Sequence, residues 1–275
     1  MRSNIPDGVL LLSLALFVAN PAQAASSSGV SYVYEALGPQ APHVERFEVR
    51  PGSVRWLDEN GLTLWHLSRS SGMLMLIDHG TQTYRKFDDA GIDLMRGELR
   101  AALAAKRMLA EASPSQGKGV QTRPTLGEAL LANRPWAALE AINVWMAQET
   151  TDEIAGVKCR SFIMKIGEKA VGEMCVADAL TTRGGSAVQQ LLWTIGQVAE
   201  RVRAGVADSE SIGWPSHPLV AAARTGQLPL LVVERLDGEV RNELRLALVR
   251  TLPVQLLEAD TAGIPPGYLP VATKR

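Results

Sequence analysis

Residues 154–177 read IAGVKCRSFIMKIGEKAVGEMCVA. Val157 to Ile166 is rich in β-favouring and apolar residues, interleaved with the basic Lys158, Arg160 and Lys165. Gly167-Glu168-Lys169 supplies a polar turn, and Ala170 to Ala177 runs extended again. The stretch is therefore read as a β-hairpin, and it carries both cysteines of the chain. Cys159 and Cys175 lie symmetrically about Gly167, so a three- or five-residue loop centred there sets them directly opposite. Opposed residues have Cβ atoms about 4.5–5.5 Å apart, near the separation a disulfide needs. The alternatives are a structural bridge and two buried free thiols. Cys-x-x-Cys spacing, the usual mark of a redox dithiol, is not present. A bridge closing this loop stabilises the fold by roughly 3 kcal/mol in the chain-entropy view.

The start of the chain bears on that choice. Residues 1–24 have the pattern of a secretory signal. Arg2 gives a weak positive end, Val9 to Val18 an apolar run, and Pro21 then Ala22-Gln23-Ala24 a small-x-small cleavage pattern. Cleavage is expected after Ala24, with the product released into an oxidising space, the periplasm of a Gram-negative host. Two cysteines in one hairpin suit that compartment. The apolar run is shorter than the roughly 20 residues of a membrane span, and no later stretch is a better candidate.

Composition excludes more than it identifies. The formal net charge is −1 and the hydrophobic fraction 46%. With no basic stripe, nucleic acid is a poor partner. Asp58-Glu59-Asn60-Gly61, Ser70-Ser71-Gly72 and Gly80-Thr81 punctuate short strand-like runs between His43 and Phe87, which predicts an antiparallel meander. Met73 to Asp78, MLMLID, is apolar on both faces and is expected in the sheet interior. Residues 25–42 are expected to form a flexible or edge-strand start. Ile92 to Ala112 has helical spacing, and a polar Gly/Pro loop follows it. Thr125-Leu126-Gly127-Glu128 resembles a capping box. Ala187 to Arg203 carries an apolar stripe, with Ser186 as the expected N-cap. Gln227 to Leu236, Asp237-Gly238 and Val240 to Arg250 read as a second hairpin. The reading is α+β: one antiparallel sheet over residues 43–275, with helical insertions at about 91–142 and 184–226.

Several of these pieces, taken in order, are familiar: VRWLDENG with LTLWHL, MLMLIDHGTQTYRKF, TTDEIAGVKCRSFIMKI, EMCVAD and PPGYLPV. They resemble an uncharacterised family of exported bacterial proteins, itself similar to the LolA/LolB lipoprotein carriers. Asp78, Tyr84, the run Ile154 to Cys159, the run Val176 to Asp178 and the run Pro266 to Tyr268 occupy the family's typical positions. Cys175 stands where a Trp is common, which is what creates the cysteine pair. The resemblance covers roughly residues 45–270. It implies an antiparallel β half-barrel with helices packed on the concave face and an apolar groove between them. It implies no substrate.

No catalytic constellation emerges, and no cofactor is expected. His43, His66, His79 and His217 show no ligand spacing, so no metal site is assigned. Asp78-His79 reads as turn stabilisation. Six residues on predicted strands are the candidates for lining a groove: Trp56, Trp65, Met73, Met75, Trp145 and Met164. The first functional reading is a non-enzymatic exported carrier that binds an acyl chain or lipidated peptide, with lipid or lipoprotein as partner. The second is an envelope protein–protein interaction module whose half-barrel is filled by its own helices. A hydrolase is the remaining alternative.

Overall fold

Turn chemistry and side-chain alternation drive the first half of the chain into a meander. In the computed structural model, the described residues are 29–38, 42–112, 146–166, 168–206, 217–223, 226–236, 238–253 and 263–271. The expected signal segment 1–24, the capping box at Thr125 and Trp145 lie outside them. Six strands come first: β1 (Val30–Leu37), β2 (His43–Val49), β3 (Ser53–Leu57), β4 (Thr63–Ser68), β5 (Leu74–Asp78) and β6 (Thr83–Lys86). The Asp58 carboxylate accepts the Leu62 N–H at 2.8 Å, and Gly61 takes φ 78° to close the β3–β4 turn. Asp78 does the same at the next turn but one, accepting from the N–H groups of Gly80 and Thr81. That is the turn-stabilising role expected of it.

Helix α1 (Asp89–Ala112) follows β6 at once. Asp88 caps it by accepting the Gly91 N–H at 2.9 Å. A Cβ on Gly91 would lie 1.8 Å from the Lys86 carbonyl oxygen, so only glycine permits so abrupt a strand-to-helix turn. Then come β7 (Met146–Ile154), β8 (Val157–Ile166), β9 (Lys169–Ala177), α2 (Gly185–Ala204), α3 (Pro218–Ala223), β10 (Leu228–Leu236), β11 (Glu239–Thr251) and β12 (Leu269–Pro270). The N-cap of α2 is Gly184, at φ 76° and with no side-chain cap bond, not the expected Ser186. The chain turns there close against β1 and β2, where a Cβ on Gly184 would touch Val30 and Val49.

The described strands form one open sheet in the order β12-β6-β5-β4-β3-β2-β1-β11-β10-β9-β8-β7. All neighbours pair antiparallel except β12 with β6. MLMLID supplies the interior strand β5 as expected. Within the stretch 25–42, the described strand β1 is not an edge but the central seam, paired to β2 on one side and β11 on the other. Its two inward tyrosines, Tyr32 and Tyr34, are fully buried. Their hydroxyls donate to the carbonyls of Arg183 and Pro229, at 2.6 and 2.8 Å, which joins the two halves of the chain.

Register defines the faces. Tyr32, Phe47, Trp56, Trp65, Leu76 and Arg85 lie in one cross-strand row from β1 to β6. The helices lie on that inner face. Arg85 reaches α1 through a bidentate bond to Glu98 at 2.8 and 2.9 Å. α2 packs against β2, β3, β5 and β10, between α1 and α3. Its buried stripe is Val188, Leu191, Leu192, Ile195, Val198, Ala199 and Val202. Arg96 of α1 donates to the Arg201 carbonyl at 2.6 Å, and Arg100 donates to the Gly205 carbonyl. Two guanidinium groups thus satisfy the C-terminal carbonyls of α2 and complement its dipole.

Candidate functional site

Cys159 and Cys175 are joined by a disulfide with Cα atoms 5.5 Å apart. The pairing of the hairpin differs from the symmetric one. Ile166 pairs with Lys169, and a register shift beyond Met164 sets Ser161, not Cys159, opposite Cys175. The bridge therefore runs diagonally across β8 and β9. By alternation it lies on the face opposite Met164 and Met174. Ser161 fills the vacant cross-strand position and donates to Asp152 of β7 at 2.7 Å.

The groove candidates separate into different surroundings. Trp56, 6% exposed, lies in the inner row beside Phe47, with ring centroids 5.0 Å apart. Trp65 is half-buried in the same row and stacks on Phe87 at 5.5 Å. Met164 is fully buried on the inner face of the other half. Met75 pairs with His66 and so lies on the outer face, away from Trp56 and Trp65. Met73 is half-buried and precedes β5. Trp145 lies outside the described residues.

A polar cluster that the sequence concealed stands on the inner face. Glu45 lies two residues before Phe47 on β2, opposite Tyr34. Its Oε1 accepts from His217 Nε2 at 2.9 Å and lies 3.4 Å from His43 Nε2. The His217 ring meets Trp56 edge-on at 4.4 Å. His217 immediately precedes α3, whose Leu219, Val220, Ala222 and Ala223 are all buried. The pair thus anchors the entry of α3 to the sheet. Burial would raise the Glu45 pKa, but the charge and hydrogen bonds of His217 and His43 outweigh it and hold the carboxyl at about 2. Glu45 Oε2 and His217 Nδ1 are both buried without a partner. The His217 side chain as a whole remains 23% exposed. His43-x-Glu45 on one strand face was the local signal; His217 lies too far along the chain to have been matched to it.

Glu234 and Asn242 make a second buried polar contact on the inner face, at 2.5 Å between β10 and β11. Burial raises the Glu234 pKa against the opposing effects of Asn242 and Arg241. The other two histidines serve the outer face and the sheet edge. His66, 2% exposed, continues an outer row of Ser31, Glu48 and Arg55. Gly263 sits on the His66 ring, and a Cβ there would lie 1.7 Å from His66 Cε1. His79 donates from Nε2 to the Thr63 carbonyl at 2.7 Å, so its Nδ1 accepts the Tyr268 hydroxyl proton at 2.8 Å. Among the described residues no His, Cys, Asp and Glu group is arranged to hold a metal, and no helix is long and apolar enough to cross a membrane.

No family model matches the chain, and no curated protein sequence matches it. Solved structures give distant likenesses. An uncharacterised conserved protein from Thermus thermophilus is 8% identical, over 92% of this chain and 99% of that one, with a TM-score of 0.36. MucB of Pseudomonas aeruginosa, solved in complex with MucA, is 9% identical over 87% of this chain and 58% of that one, with a TM-score of 0.32. PNGF-II is 8% identical over 85% of this chain and 30% of that one, also at 0.32. Likenesses this remote carry no argument about what the chain does.

Proposed function

We propose that the protein is an exported interaction module of the bacterial cell envelope, non-enzymatic, with a half-barrel filled by its own helices and another protein as its partner. The observation that carries this is the closure of the inner face. Trp56 and Met164, the large side chains best placed to line a groove, are buried, and α2 lies over the same face with its stripe fully packed. An acyl chain or lipidated peptide would have to lift α2 and α3 to reach Trp56. That means parting the Glu45–His217 pair and re-exposing a stripe of apolar side chains. The signal-like residues 1–24 and the Cys159–Cys175 bridge support export to the periplasm.

Native mass spectrometry of protein purified from an envelope fraction tests the reading. The expected species is the bare polypeptide beginning at Ala25, with its disulfide closed. A persistent lipid adduct would replace the interaction reading with the carrier reading. A chain retaining residues 1–24 would remove export.

A further inference from the structure

We draw no further inference here: the strongest candidate, the outer edge of β7 at the end of the described sheet, where Glu149, Asp152 and Glu153 are exposed, carries no proposal because nothing in the structure shows what covers that edge.

Discussion

Glu45 is a carboxylate placed where an apolar residue would ordinarily stand. Its folded pKa of about 2 lies below its ordinary value of 4.5, so it contributes stability above pH 4.5 that is lost as pH falls through 2. At neutral pH that contribution is on the order of 3 kcal/mol. Urea unfolding of the unaltered chain is therefore expected to weaken steeply between pH 4.5 and 2. Glu45→Gln should be destabilised at neutral pH but show a flatter dependence across the same window. Equal slopes would mean that His217 does not hold the carboxylate ionised. At this scale the sequence is least legible. His43 and His217 read as scattered residues because what unites them, Glu45, is two residues from one and far along the chain from the other.

Strands and turns were easier to read than sites, because their signals are local. The meander follows from Asn-Gly, Ser-Gly and Gly-Thr punctuation, and the Asp237-Gly238 hairpin from its turn alone. The cysteine hairpin was legible as an element but not in register. Symmetry about Gly167 predicted opposed cysteines, whereas the shift between Met164 and Lys165 moved Ser161 into that position. The bridge closes a loop with a sequence separation of 16, and Cys159→Ala/Cys175→Ala is expected to cost about 3 kcal/mol, read as a lower urea midpoint. Helix α2 gives a sharper contrast within one element. Leu191 is fully buried in its inner stripe, and Leu191→Ala should cost about 3 kcal/mol. Two residues on, Trp193 is 42% exposed, and Trp193→Ala should cost about 1 kcal/mol or less. Thermal melts of the two variants check the pair, and similar losses would contradict the placement of α2.

For the molecule as a whole, an open sheet with helices gathered on one face was legible from the order of strand-like and helical stretches. The position of β1 was not. Its pairing with β11 depends on a partner strand at the other end of the chain, and nothing local in VSYVYEAL announces it. The same limit applied to the groove. Alternation within a strand says which residues share a face, but which face the helices cover is settled between strands, and it divides Met75 from Trp56 and Trp65. With α2 packed on β2, β3 and β5 and His217 set edge-on against Trp56, a ligand in the inner face would have to displace side chains already packed there. The most direct test is native mass spectrometry of the protein isolated from an envelope fraction. This account predicts a single unliganded species carrying one disulfide, and a stable lipid adduct lost when Trp56 is replaced by a polar residue would contradict it.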